Sequence, residues 1–352
     1  GAYSLRHHRG SGSQVRLSPS AGPGLYSPPA PHPPSYSDTM PLITVIPPVV
    51  LRNRHRLSPP QINLLYGSRI IEESREEKAE ALSRVAEFLR LTDAVTAAGI
   101  GFVPLKGPLL SHQLYGDPAA RYSHDIDILV EADDLETAAR VLADSGYSQL
   151  PPLMLQDISR RRKLIKYNHH ISFNHPGNSQ IIELHWRLMN RPWLGFADID
   201  GLLRENLTDY EFAGRRFTVF SPEFNLLYLV IHGAAHHWGR LKWLEDVHRL
   251  QNTKDFSDIK FIDLTEKLKA GRMVALYNRI LAEYMKDAKL LPCSTKAPAY
   301  MISSVLRAIE GESYHGPETF SEIFANLRYA SSAYRGLLYK LKLAGTVVTN
   351  SL

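Results

Sequence analysis

Arg121-Tyr122-Ser123-His124-Asp125-Ile126-Asp127-Ile128-Leu129-Val130 is the stretch on which the reading of this chain turns. Two aspartates, one residue apart, interrupt an apolar run. Side chains alternate faces along a strand, so Asp125 and Asp127 share one face while Ile126 and Ile128 point into a core. Like charges held that close repel each other unless a cation sits between them. Hard oxygen donors on a rigid strand suit magnesium, with manganese as the alternative. The pair therefore predicts a metal site. A strand edge carrying solubilising charges, with Arg121 as ion-pair partner, is the plainer alternative; the apolar residues on both sides argue against it.

Working outward, Glu72 to Ala98 has an apolar stripe at helical spacing (Ala81, Leu82, Val85, Ala86, Leu89, Val95), closed by Gly99. Ile100 to Leu105 reads as a short strand. Lys106-Gly107-Pro108 then turns into a helix through Leu114, with Pro108 suited to its first turn. Asp133 with Glu136 predicts a capping box for a helix ending at Gly146. Downstream of Pro151-Pro152 come a basic run, Arg160-Arg161-Arg162-Lys163, and a hairpin. Its strands are Lys166 to Asn174 and Gln180 to Arg187, with the turn His175-Pro176-Gly177-Asn178 between them. Beyond Pro222 the pattern is helical: Phe224 to His237, Lys242 to Leu250, Ile262 to Lys269, Val274 to Lys286, and further helices to about Leu343. The expected class is α+β, a mixed sheet with helices followed by an all-α part.

Glu183, in Ile181-Ile182-Glu183-Leu184-His185-Trp186, lies between apolar residues on the second hairpin strand. Beside the aspartate strand it would aim a third carboxylate at the same cation. Three carboxylates on neighbouring strands meet the needs of a two-metal phosphoryl-transfer site. Gly107, at the start of a helix, lets backbone amides approach a phosphate, and Lys106 and Arg121 are candidate cationic contacts.

These pieces together resemble the DNA polymerase beta-like nucleotidyltransferase superfamily. Ala98-Gly99-Ile100, Leu105-Lys106-Gly107, Leu114-Tyr115-Gly116-Asp117, Arg121, Asp125 to Val130 and Glu183-Leu184-His185-Trp186 resemble, more closely, an uncharacterised bacterial nucleotidyltransferase family. Leu226-Leu227, His232, His236 and Leu241-Lys242-Trp243-Leu244-Glu245-Asp246 fit its helical half, so that the likeness spans roughly residues 80–255. It implies a polymerase beta-like mixed sheet and transfer of a nucleoside monophosphate from ATP or another nucleoside triphosphate, with release of pyrophosphate. Asp125, Asp127 and Glu183 would be catalytic and hold the metal; Lys106, Gly107 and Arg121 would hold the nucleotide. His170, His185, His232, His236, Lys242 and Asp246 are the expected substrate-side residues. The acceptor class is open: small molecule, peptide or RNA. Gly107-Pro108 departs from the Gly-Ser or Gly-Gly usual at this turn and removes one backbone donor.

Other readings compete. An abortive-infection-type toxin modifying tRNA has an Arg-x-Ser-x-Asp-x-Asp pattern like Arg121 to Asp127, and a degenerate nucleotide-sensing module would tolerate the altered turn. Asp198-Ile199-Asp200 repeats the Asp-x-Asp spacing but reads as a helix start. His232 and His236, four apart, lack the glutamate of a zinc protease helix and read as core or substrate-lining. Trp186, Trp238 and Trp243 read as core.

Composition sets the frame. The chain has 352 residues, enough for two cores, and a net charge of +5. Residues 1–60 hold six arginines, one acid and 12 of the 23 prolines, so the rest is near neutral and the basic balance says little about nucleic acid. That segment is expected to be disordered and does not read as a secretory signal; Met40 is a candidate initiator. Residues 61–221 are the expected nucleotidyltransferase domain and 222–352 a helical one. A single cysteine, Cys293, and the lack of a long apolar run point to a cytoplasmic protein without a membrane partner.

Overall fold

A computed structural model of the chain describes residues 42–285, 288–311 and 320–333, apart from 152–154, 156–160, 162–163, 166–167, 179 and 190–198. Five strands form a mixed sheet: β1 (Phe102–Pro104), β2 (Asp125–Val130), β3 (Ser148–Gln149), β4 (His170–Asn174) and β5 (Ile181–His185). Their order is β1-β2-β5-β4-β3, with β2 and β5 parallel and the other pairs antiparallel. The expected α+β class holds. The parallel pairing matters most, because it sets Asp127 opposite Glu183.

Pleating divides the sheet chemically. Ile126, Ile128, Val130, Ile171, Phe173, Ile182 and Leu184 pack on one face against Phe88, Leu91 and Val95 of α3 (Arg75–Ala97) and Leu135, Ala138 and Leu142 of α5 (Leu135–Asp144). Asp127, Leu129, Glu183 and His185 take the opposite face. Leu129 there joins a second apolar cluster shared with α7 (Pro222–Ala235) and α8 (Leu241–Gln251). The polar residues of the sheet thus face the helical half.

Several local expectations change. Ser74 caps α3 through a capping box with Glu77, so this helix starts later than Glu72. Its buried side is Arg84, Phe88, Leu91, Thr92 and Val95; of the expected stripe Val95 is buried and Val85 and Leu89 pack at the core's edge, whereas Leu82 is 49% exposed. Phe88 explains the rotation: it stacks on Phe217 with centroids 5.5 Å apart. Phe217 belongs to a hairpin absent from the sequence reading, β6 (Leu207–Phe212) and β7 (Arg215–Phe220). Ala213 (φ 51°) and Gly214 (φ 71°) form its two-residue turn, the left-handed geometry that matches strand twist. Asp133 and Glu136 make no capping box; a 3-10 turn, Ala132–Asp134, leads directly into α5.

The expected disorder through residue 60 fails from residue 42 onward; residues 1–41 lie outside the described residues. A 3-10 turn (Leu42–Val45), α1 (Pro48–Asn53) and α2 (Pro59–Leu65) bury Ile43, Leu51, Leu57 and Ile62. Arg54 reads as tail charge in the sequence, yet it donates to the backbone carbonyls of Gly239, Ala308 and Gly311. Proline at helix starts and apolar residues between them outweigh the composition.

The remaining helices are α6 (Ile199–Glu205), α9 (Asp258–Lys267), α10 (Gly271–Tyr284), α11 (Ala299–Glu310) and α12 (Phe320–Ala333). Ile199 and Asp200 begin α6, as read, while Asp198 lies outside the described residues. Arg160, Arg162 and Lys163 of the basic run, and the expected helix beyond 333, also lie outside them. No helix among the described residues is long and apolar enough to cross a membrane.

Candidate active site

Asp127 and Glu183 are cross-strand neighbours on β2 and β5. His185, two residues beyond Glu183 on the same face, brings its Nε2 to 3.2 Å from Asp127 Oδ1 and 3.3 Å from Glu183 Oε2. Carboxylates only accept, so Nε2 carries the proton. The other oxygen of Asp127, Oδ2, lies 3.4 Å from the Lys106 ammonium. Asp127 is wholly buried.

These charges hold one another in place. Burial opposes the Asp127 carboxylate, yet Lys106 and His185 keep its pKa well below the ordinary range. Burial likewise opposes a charged Lys106, but Asp127 and the nearby Asp125 and Glu183 push its pKa up. The His185 pKa is raised above its usual value, the hydrogen bonds it donates to Asp127 and Glu183 outweighing desolvation.

Lys106 precedes α4 (Gly107–Tyr115), where Gly107 adopts φ +74°, a conformation costly for other residues. Pro108 occupies the first turn, as expected. A Cβ on Gly107 would lie 3.8 Å from the Asp125 carbonyl oxygen, so the helix start and the aspartate strand are in close register. Across from them, Lys106 Nζ lies 3.4 Å from His232 Nε2 on α7. His232, His236 and Trp243 form an aromatic wall, with ring centroids 4.6 Å apart between the histidines and 5.4 Å from each to the tryptophan. Burial and the Lys106 charge depress both histidines, His236 to about 4, so the wall is uncharged. Tyr228, one turn before His232, is a neighbour of Lys106 that the sequence reading missed; the i, i+4 spacing was its only signal.

Two expectations need correction. Arg121 is buried and its Nε and Nη2 bond Asp246 Oδ1 and Oδ2 at 2.8 and 2.9 Å. It is therefore committed to Asp246 rather than presented to a triphosphate, and Asp246 is equally removed from the substrate side. Their bidentate fit and the apolar surroundings explain the pairing. Asp125, at the start of β2, shares the face of Asp127 but pairs with Ile181, one strand step outside the close group of Asp127, Glu183 and His185. A two-residue step along a strand, roughly 7 Å, separates it from Asp127.

Lys242 is buried in α8, its Nζ 3.4 Å from the Tyr122 carbonyl and 5.5 Å above the Tyr122 ring. Burial, then Arg121, lower its pKa to about 7. His170, on β4, places Nε2 3.7 Å from Glu183 Oε1, and burial lowers its pKa. A cavity of about 200 Å³ opens between α1, α3 and the 118–123 loop, and touches Pro108 and Ser123. The arginines along it are largely engaged: Arg52 with Glu77, Arg84 with Glu80 and Gln180.

The donor set suits a divalent ion. Asp127 Oδ2 is buried and makes no hydrogen bond, its charged neighbour being the Lys106 ammonium at 3.4 Å, and ligand atoms of Asp127, Glu183 and His185 lie within 4.8 Å of one another. Two hard oxygens accept magnesium or manganese.

A model of an uncharacterised nucleotidyltransferase family matches residues 55–286. The chain belongs to that nucleotidyltransferase family. This agrees with the likeness carried by Lys106-Gly107, Asp125 to Val130 and Glu183. No curated protein matches it. Among solved structures, an antigenic nucleotidyltransferase-like protein from Paracoccidioides brasiliensis aligns at 16% identity, over 56% of this nucleotidyltransferase and 94% of that chain, with a TM-score of 0.32.

Proposed function

We propose that this nucleotidyltransferase moves a nucleoside monophosphate from a nucleoside triphosphate to an acceptor hydroxyl and releases pyrophosphate, with magnesium bound by Asp127, Glu183 and Asp125. The observation that carries the reading is the Asp127–Glu183 pairing across parallel strands, facing the Lys106-Gly107 helix start. When bound, magnesium or manganese would supply charge neutralisation at the phosphates and a polarised acceptor oxygen.

The chain's own groups supply the rest. The Gly107 turn and the N-terminus of α4 favour the anionic phosphates. Lys106 adds a cation there. The acceptor oxygen attacks the α-phosphorus as the bond to the β-phosphate bridging oxygen breaks, and that bridging oxygen leaves with pyrophosphate. Glu183, the more accessible carboxylate, takes the acceptor proton or shares in metal binding. Tyr228, His232, His236 and Trp243 wall the acceptor side. In this reading residues 61–221 form the catalytic body and the helices from 222 onward cover it.

The test is pyrophosphate release with each of four nucleoside triphosphates plus magnesium, with mass analysis of candidate small-molecule, peptide and tRNA acceptors. Glu183→Gln is expected to lower turnover at least 100-fold while the protein stays folded. Turnover on tRNA alone would place it with the toxins. Tight nucleotide binding without turnover on any acceptor would overturn the transferase reading in favour of a sensor.

A further inference from the structure

Beside the carboxylates lies a second group of donors that nucleotidyl transfer does not use. His169, just before β4, His170 on β4 and His185 on β5 can each offer a ring nitrogen within 4.8 Å of the others. Their rings crowd together, with centroids 4.3 Å apart for His169–His170, 4.9 Å for His170–His185 and 5.6 Å for His169–His185. The antiparallel register sets His170 directly across from His185. His170 Nδ1 and His169 Nε2 are 2.9 Å apart and share one proton.

His185 supplies the decisive detail. It is 3% exposed, its Nε2–H is directed to Asp127, and its Nδ1 is buried without a hydrogen-bond partner. A buried polar nitrogen without a partner is costly. With Nε2–H given to Asp127, Nδ1 is the nitrogen left to offer a lone pair, and the His185 ring lies beside two further imidazoles. A histidine that gives one ring N–H to a carboxylate and keeps its other nitrogen unpaired has the arrangement found at metal sites, where the carboxylate fixes tautomer and orientation.

We infer that His169, His170 and His185 bind a divalent transition ion of borderline softness, such as Zn²⁺, at a site distinct from the Asp127–Glu183 carboxylates, with Asp127 orienting His185. Three imidazoles select such an ion over magnesium, which prefers oxygen and sheds water reluctantly. A tetrahedral ion with bonds of about 2.0–2.1 Å needs nitrogens roughly 3.3 Å apart, which small ring rotations reach. His170 also lies near Glu183, so the bound ion would add positive charge beside the proposed transfer site. The site does not depend on nucleotide transfer. Pyrophosphate release without Zn²⁺ binding defeats this inference alone, and Zn²⁺ binding without turnover defeats only the transferase reading.

The experiment is calorimetric titration of the metal-stripped full chain with Zn²⁺ in the presence of millimolar magnesium, followed by visible absorption of the Co²⁺-loaded protein. One ion per chain is expected, with a Co²⁺ spectrum characteristic of nitrogen donors. His169→Gln with His170→Gln should weaken Zn²⁺ at least 10-fold, with circular dichroism unchanged. His232→Gln with His236→Gln, on the separate aromatic wall, should bind Zn²⁺ as the wild type does. No saturable binding, or equal affinity in the His169/His170 variant, would overturn the assignment; the latter result would place the ion on Asp127, Glu183 and His185 or elsewhere. Should the double variant misfold, His170→Gln alone is scored by the same 10-fold criterion.

Discussion

Arg121 and Asp246 meet through two parallel hydrogen bonds, with side chains 2% and 1% exposed. The pair joins the loop entering β2 to helix α8, and so fixes the aspartate strand against the helical half. Removing one partner strands a buried charge, which costs far more than the pair contributes over an apolar replacement. Asp246→Ala is expected to lower stability by about 3–5 kcal/mol in urea unfolding. Asp246→Ala with Arg121→Met should recover much of that loss. An additive double variant would show that the guanidinium finds other partners.

The same reasoning extends to Asp127, although like-charge crowding with Asp125, taken alone, would favour its removal. In the structure Asp127 is the counter-charge of half-buried Lys106 and accepts from His185. Asp127→Asn is therefore expected to cost about 3 kcal/mol as well as activity. Lys106→Met in the Asp127→Asn background should restore stability without restoring turnover. A melting temperature unchanged in Asp127→Asn would show that the Lys106 contact is energetically silent.

Lys242 gives a pH dependence with a definite sign. Its pKa is lowered from 10.5 to about 7 in the folded chain. The unfolded chain therefore binds more protons above pH 7, and stability rises with pH from about 7 toward 10.5. The burial penalty is fully present below that window. Lys242→Met should stabilise the protein at pH 6 by about 1–3 kcal/mol and flatten the rise. Thermal melts of both proteins at pH 6 and pH 9 provide the check; parallel shifts at the two values would exclude the titration.

What was legible in the sequence followed from local rules. Alternation along Asp125 to Val130 placed the acidic and apolar faces, and the turn after Asn174 fixed the β4–β5 hairpin. Parallel pairing of β2 with β5 was anticipated only as proximity, because no local signal sets the register of strands so far apart in sequence. Arg121 illustrates a limit. A cation near an acidic strand looks like a phosphate ligand until a helix 125 residues later delivers its partner. The β6–β7 hairpin went unread because its turn is Ala213-Gly214, without the asparagine or aspartate that signals such a turn. The role of Arg54 is hidden because composition averages over residues 1–60 and conceals the short helices at their end.

Gly107 separates a conformational role from a binding one. Its φ of +74° is left-handed, so alanine there should cost about 1 kcal/mol or a little more. Space is not the obstacle in the free protein, since a Cβ would make ordinary contact at 3.8 Å with the Asp125 carbonyl. If phosphates approach this turn, the same methyl group obstructs them and distorts the donor amides. Gly107→Ala should then raise the Kd for nucleoside triphosphate at least 10-fold, well beyond what its modest loss in melting temperature explains. Pro108→Ser supplies the opposite perturbation by restoring a backbone N–H at the helix start, where an additional donor to an anion is favourable. It should tighten nucleotide binding several-fold. Calorimetric titration of the two variants side by side decides the matter: unchanged affinity in both would move the phosphates away from the start of α4 and leave the glycine with a purely structural task.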